Sequence, residues 1–242
     1  KLDFILEIDK KKKLFKGGQF LDGRENDLQG QAGGPPLNPI EMGMSSKEEV
    51  VERLKENPEY IKRFSALYGN AILNDAKKGY EAMSKAIAVF ESTKEFSPFD
   101  SKYDRYLRGE YELSDQEELG RSLFFSNNNT NCAVCHVLKG EDKEGETFSN
   151  YEFHNIGVPS NKVLMERGVT KPNFKDKGLA NNEKAKGKEN EGKFKVPTLR
   201  NVAVTGPYMH NGVFKDLRTV ILFYDTFNNP ERKINPETNA PW

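Results

Sequence analysis

Cys132-Ala-Val-Cys135-His136 is the stretch that decides how this chain is read. Two thiols three residues apart on a short turn can both reach the edge of one porphyrin. The adjacent imidazole can then face the iron, so the pattern reads as a c-type haem attachment site. Two other readings compete. Two ordinary buried cysteines need no cofactor. A zinc site needs two further ligands, and neighbouring Cys135 and His136 rarely close one tetrahedron together. The chain has two Cys, three His and five Met, so it cannot carry a disulfide framework beyond this pair, and any metal centre draws on few donors.

Working outward, 126–131 is polar (SNNNTN), which starts the cysteine motif in a loop. Just upstream, Ser114-Asp-Gln-Glu117 is a capping box that opens a helix to about Phe125. An iron that only passes electrons takes a sixth ligand, and among the methionines Met209 stands out. It lies in Gly206-Pro-Tyr-Met-His-Asn-Gly212, a loop stiffened by proline. The other reading of Met209 is core packing, and spacing alone leaves both open. A thioether favours ferrous iron and raises its potential, so His/Met ligation implies electron transfer.

Further upstream, 1–45 is dense in Gly and Pro turns, such as Gly33-Gly34-Pro35-Pro36, and predicts ordered loop. Ser46-Lys-Glu-Glu49 is a second capping box, with a helix to about Asn57 that turns Val50, Val51 and Leu54 to one side. Pro58 suits the first turn of the next helix, with Ile61, Phe64 and Leu67-Tyr68 at helical spacing and Gly69 as its stop. A helix over roughly 74–95 carries the stripe Ala76, Tyr80, Met83, Ile87, Phe90. A last helix spans about 217–227, with Leu217, Val220-Ile221 and Tyr224 inward. The Lys-, Glu- and Asn-rich stretches 139–150 and 171–194 read as solvated loops, and no strand alternation or internal repeat stands out.

Lys+Arg and Asp+Glu number 37 each, a zero formal charge that gives no support to a nucleic-acid or polybasic membrane binder. Sixteen Phe and nine Tyr argue against wholesale disorder. The longest strongly apolar runs, Ala86 to Phe90 and Val220 to Tyr224, fall far short of the ~20 residues of a membrane span. The opening KLDFILEIDK lacks a signal-peptide pattern and reads as protein interior.

Several blocks in order make the sequence resemble the bacterial di-haem cytochrome c peroxidases, a family that also holds the tryptophylquinone-maturing di-haem oxygenases. They are Gln19-Phe-Leu-Asp-Gly-Arg24, Gln31-Ala-Gly-Gly-Pro-Pro-Leu-Asn-Pro-Ile-Glu-Met42, the stretch from Ser97 to Gly109, and Gly120-Arg-Ser-Leu-Phe124. Phe153-His-Asn-Ile-Gly157, Phe194-Lys-Val-Pro-Thr-Leu-Arg-Asn201 and Pro207-Tyr-Met-His-Asn-Gly212 complete the set. The resemblance implies a mainly α fold: a C-terminal cytochrome c-like electron-transfer domain over 109–242 and part of a second, peroxidatic one over 1–108. The Pro-rich tail is expected to pack back on the first.

The resemblance also implies that Cys132, Cys135, His136 and Met209 hold a high-potential haem c where electrons enter. The oxygenase branch carries Tyr at the position of Met209, so Met209 favours the peroxidases. Gln31 and Glu41 fall on the catalytic pair above the second haem. There a carboxylate shuttles the proton needed for heterolytic O–O cleavage and an amide orients the peroxide. Arg200 is implied as a partner of a haem propionate, whereas His154 and His210 read as structural. Hydrogen peroxide is the implied substrate, a small cytochrome or cupredoxin the donor, and the periplasm the location.

The sequence departs from the family at three places. No Cys precedes Cys132 and no His precedes His136, so the second haem's attachment motif is not in this sequence. A longer polypeptide, a homodimer or a partner chain would have to complete the N-terminal domain; otherwise the site is lost and Gln31 and Glu41 are relics. Leu21 stands where the family has a Trp between the haems. A calcium ion held by carbonyls maps loosely near Asn190 and Gly192, but the upstream Asn ligand has no counterpart. The alternative function is a mono-haem c-type cytochrome electron-transfer subunit without peroxidase activity.

Overall fold

The computed structural model describes residues 6–128, 130–138 and 145–242. The helices begin where capping chemistry places them. Asp27 accepts from the Gly30 amide at the start of α1 (Leu28–Ala32). Ser46 accepts from the Glu49 amide (3.2 Å) to open α2 (Lys47–Lys55). Only half of the expected box forms there, because the Glu49 carboxylate turns to the Ser45 amide and hydroxyl instead. Asn57 caps α3 (Pro58–Tyr68), with Pro58 in the first turn and Gly69 ending it at φ +96°. Asp75 caps α4 (Ala76–Glu91). Both halves of the box form at Ser101, which opens the short α5 (Lys102–Leu107), and at Ser114, the start of α6 (Asp115–Phe124). Asn161 caps a further short helix, α7 (Lys162–Glu166).

The first core packs α4 against α1 and α2. Val50, Val51, Leu73, Tyr80 and Met83 are buried there, with Leu54, Phe64 and Ile87 packed alongside. The Tyr80 hydroxyl donates to the Gly33 carbonyl at 2.6 Å and so fixes the end of α1 to α4. The stripe read from the sequence is buried only in its middle: Phe90 is exposed and packs edge-on against Phe96. α3 buries no residue fully, and Leu67 lies on the surface.

Strand pairing appears where none was expected, as three two-stranded antiparallel ladders. They are β1 (Glu7–Asp9) with β2 (Leu14–Lys16), β3 (Phe153–His154) with β4 (Phe194–Lys195), and β5 (Ile234–Asn235) with β6 (Ala240–Pro241). Two- and three-residue strands are too short to show an alternating pattern. They carry long-range order all the same. Lys16 bridges to Glu152, the Gly17 amide donates to the Tyr151 carbonyl (3.0 Å), and the Lys195 amide donates to the Leu21 carbonyl (2.7 Å). Leu6, Phe153, Leu179 and Ala185 form a second core under this junction. Residues 6–25 are thereby stitched to 151–195.

The two polar stretches are less solvated than their composition suggests. Residues 139–144 lie outside the described residues, but Glu146, Thr147 and Ser149 are buried. Within 171–194, three single turns bury Leu179, Asn182, Ala185 and Asn190, with both asparagines spent on carbonyls: Asn182 on Gly23 and Asn190 on Ala185. Satisfied Asn side chains let such a segment go inside.

A third core holds α8 (Leu217–Asp225), where Phe223 packs on Phe214 and Trp242. The buried face of α8 is therefore Thr219 and Phe223, while Ile221 and Tyr224 are exposed. The tail, expected against residues 1–108, folds its Trp242 onto Phe214 and Phe223 and donates its indole N–H to the Arg232 carbonyl. Among the described residues, no helix is long and apolar enough to cross a membrane.

Candidate haem site

The site starts at Asn131, whose left-handed backbone (φ +55°) turns the polar loop into a single helical turn over Cys132–Val134. That turn is closed by the His136 amide on the Cys132 carbonyl (3.0 Å) and by the Asn150 amide on the Cys135 carbonyl (2.9 Å). Both thiols are free and half-buried. Burial, with Glu152 nearby, pushes the Cys135 thiol up.

His136 is oriented by its own backbone surroundings. Its Nδ1 lies 2.8 Å from the Phe148 carbonyl, which fixes Nδ1 as the donor and leaves Nε2 with its lone pair for a metal. Burial pushes the imidazole down in pKa, so it is neutral at pH 7, the form that ligates. The Phe124 ring of α6 lies 6.4 Å from it. From the other side α8 brings Tyr224, whose hydroxyl is pushed up by burial and by the fields of Cys135 and Cys132.

Exposed apolar side chains sit on the motif and on the two helices that bring Phe124 and Tyr224 to it. Leu119 and Leu123 share a face of α6, Val134 sits inside the motif, and Ile221 lies a turn before Tyr224 on α8; all four are exposed. Among the described residues no three His, Cys, Asp or Glu side chains converge. The donor set thus lacks the extra ligands of a zinc site and fits a flat apolar group held by two thioethers and one imidazole.

Met209 is half-buried, with φ +68°, a conformation few non-glycine residues adopt. Its loop is over-determined. The Gly206–Pro207 bond is cis, the Tyr208 amide donates to the Phe214 carbonyl (2.6 Å), and Asn161 donates to the Asn211 and Gly212 carbonyls (3.0 and 3.2 Å). Phe214 is fully buried and packs on Phe223, so this loop and the face carrying Tyr224 hang on the same helix. His210 stacks on Phe194 at 3.5 Å, and His154 lies 3.6 Å from the Glu152 carboxylate.

Arg200, expected to meet a haem propionate, has protein partners of its own. Its guanidinium grips Asp104 through both Nη atoms (Nη2 to Oδ1 at 2.8 Å), and its Nε donates to the Glu146 carbonyl at 2.6 Å. It also lies over the rings of Phe99 and Phe148. Burial pushes the Asp104 carboxyl up, but Arg200 and Ser101 outweigh it and hold it at about 2. Nothing in the sequence singled out Asp104 or the Phe148 carbonyl, since backbone acceptors and ion-pair partners leave no motif.

Gln31 lies on α1, half-buried, and its carbonyl accepts from the Gly34 amide. Glu41 is exposed on the following loop and accepts from the Asn38 side chain at 2.9 Å. The Met42 amide on the Pro35 carbonyl (3.3 Å) ties that loop back to the turn after α1. Near the expected calcium position, the Asn190 carbonyl accepts from the Lys193 amide and the Gly192 amide donates to the Lys177 carbonyl. Between the 18–28 stretch and the 147–201 segments lies a cavity of about 910 Å³, lined by Phe96, Phe99, Tyr103, Phe148, Lys195 and Leu199 among others.

Residues 10–112 match the profile of the di-haem cytochrome c peroxidases. The chain is a partial match to the di-haem cytochrome c peroxidase family. It is 49% identical over 231 residues to the methylamine utilization protein MauG of Paracoccus denitrificans, covering 94% of this chain and 59% of that protein. It is 36% identical over 200 residues to the cytochrome c peroxidase Ccp of Escherichia coli, covering 82% of this chain and 38% of that one. Among solved structures, the diheme peroxidase BthA of Burkholderia thailandensis superposes with a TM-score of 0.81 at 29% identity, over 94% of this chain and 55% of BthA. The chain thus spans from under two-fifths to about three-fifths of the length of these relatives.

Proposed function

We propose that this chain is the electron-entry half, with part of the peroxide-reducing half, of a periplasmic di-haem cytochrome c peroxidase. The observation that carries it is the imidazole of His136, held by the Phe148 carbonyl at 2.8 Å with Nε2 free, beside two half-buried thiols. A haem bound there supplies reversible one-electron chemistry at a potential raised by a sulfur ligand. Cys132 and Cys135 would tether it, His136 would ligate one face, and Met209 the other. The residues divide into a cytochrome c-like domain over 109–242 and part of a second over 1–108.

In the second half, Glu41 would move a proton between the two peroxide oxygens and Gln31 would orient the peroxide. The loop contacts of Glu41 leave its carboxylate at the surface, able to trade protons with water. The cavity of about 910 Å³ has the size and aromatic lining of a cofactor site, which supports a second haem beside it. Electrons would come from a small cytochrome or cupredoxin.

MauG is more similar to this chain than the E. coli peroxidase is. Met209 supports the peroxidase branch all the same, because the oxygenase branch of the family the sequence resembles has Tyr there, and a thioether in its place would raise the potential as an electron-entry haem needs. A Glu41→Gln variant of the complete native protein tests the catalytic assignment: hydrogen peroxide turnover should fall at least about a hundredfold, the usual scale of a lost general acid–base. Unchanged turnover removes Glu41 from the mechanism.

The second reading is a mono-haem c-type cytochrome electron-transfer subunit without peroxidase activity, which Cys132, Cys135, His136 and Met209 would serve equally. A pyridine haemochrome assay on the native assembly separates the two. One haem per assembly sinks the peroxidase; two support it.

A further inference from the structure

Lys195 stands on the wall of the cavity of about 910 Å³. Its position is set twice over: its backbone amide donates to the Leu21 carbonyl at 2.7 Å, and its Nζ donates to the Gly18 carbonyl at 2.6 Å. A carbonyl is a neutral acceptor and satisfies one of three ammonium donors. The carboxylate whose field reaches Lys195 is Asp22, which is already bound by Arg24 at 3.0 Å. Burial pulls the ammonium down to about 8, against the field of Asp22. The cavity's other inward cation, Arg200, is neutralised by Asp104. Lys195 is therefore a cation short of counter-charge, facing walls built from Phe96, Phe99, Tyr103, Phe148 and Leu199.

A buried ammonium is costly unless an anion meets it, and aromatic walls accept a flat apolar body. We propose that Lys195 is the anion anchor of this cavity and binds a carboxylate carried on a flat, apolar ligand. Two sources share that chemistry. One is a propionate of a second haem, in which case the inference rests on the proposed di-haem function. The other is a free aromatic carboxylate. Lys195 touches neither iron nor peroxide, so it is a positioning residue.

The test compares the complete native protein with its Lys195→Gln and Lys195→Arg variants. Haem content is counted, the midpoint potential of each haem is measured, and benzoate binding is followed by calorimetry. If a propionate is the ligand, Lys195→Gln lowers the potential of one haem, because a positive charge that disfavoured ferric iron is gone. Lys195→Arg restores it, and benzoate does not bind. If a free carboxylate is the ligand, potentials are unchanged, and benzoate binds the parent protein at least about tenfold more tightly than Lys195→Gln. Potentials and benzoate binding that are the same in all three proteins overturn the proposal even where haem count and turnover uphold the peroxidase. The opposite outcome is a protein without haem whose benzoate binding is lost in Lys195→Gln: the anchor then stands and the peroxidase falls. Should Lys195→Gln fail to fold, Lys195→Met removes the charge in its place and is read by the same outcomes: a lowered potential of one haem or weakened benzoate binding upholds the anchor, and neither overturns it.

Discussion

The Arg200–Asp104 pair should be worth more than an ordinary ion pair, and its value can be worked out. Asp104 is 5% exposed, and its carboxyl is held at about 2 against an ordinary 3.8. A folded pKa below the unfolded one means stability that is present above pH 4 and lost as the pH falls through 2. That lowering corresponds to roughly 2–3 kcal/mol at pH 7 and about half that at pH 3. Asp104→Asn also leaves the guanidinium of Arg200 without a counter-charge, so the total cost at pH 7 should be about 3 kcal/mol. Urea titrations of the haem-loaded protein at pH 7 and pH 3 measure it, and the difference between parent and variant should shrink as the pH falls. A double-mutant cycle with Arg200→Met isolates the pair. A cost below about 0.5 kcal/mol at pH 7 would refute the reasoning, because it would place the pair among solvent-screened contacts. A cost equal at the two pH values would do the same. The pair also braces the Phe148 ring under Arg200, and the Phe148 carbonyl orients His136. Asp104→Asn should therefore broaden the resonances of the axial imidazole.

Other substitutions probe separate parts of the chain. Tyr80→Phe removes the hydroxyl that donates to the Gly33 carbonyl and should cost about 1 kcal/mol in urea midpoint analysis. Gly178→Ala drives a Cβ into the Lys193 carbonyl at φ +53°; it should destabilise by more than ~1 kcal/mol, and a thermal melt indistinguishable from the parent would contradict the local geometry. Met209→Ala should abolish the far-red thioether-to-iron band while haem stays bound through both cysteines, as mass spectrometry would show.

Capping chemistry was the most legible part of the fold. Ser46, Asn57 and Ser114 each open a helix where the sequence places one, because a side-chain oxygen and an orphan amide are a local matter. Burial was less legible. The pattern of α8 suggested Ile221 and Tyr224 inward, yet Phe223 is the buried aromatic, since this helix carries apolar residues on more than one face and periodicity cannot rank them. The site followed the same division. Cys132, Cys135 and His136 are adjacent in the sequence and announce themselves. Asp104, Phe148 and Lys195 act through tertiary contacts, and the carboxylate that Arg200 grips lies 96 positions away, beyond the reach of any local pattern.

Backbone strain points to the same region. Phe99, Phe148 and Tyr151 all adopt positive φ (49°, 53° and 58°), and all three line the cavity beside Lys195. Bulky side chains in that region cost about 1–3 kcal/mol each and persist only where the surroundings over-determine them. Here the surroundings do. The Thr198 hydroxyl donates to the Thr147 carbonyl (2.7 Å) and the Ser149 hydroxyl to the Val196 carbonyl (2.7 Å), while the Gly17 amide holds the Tyr151 carbonyl (3.0 Å). The 147–151 segment is thus clamped between 196–198 on one side and Gly17 on the other. A relaxed Phe148 would swing its carbonyl away from the His136 Nδ1, and the imidazole would lose the contact that fixes its tautomer. The strain is accordingly the cost of aiming one carbonyl, and it accounts for finding bulky residues where a freely chosen turn would use glycine.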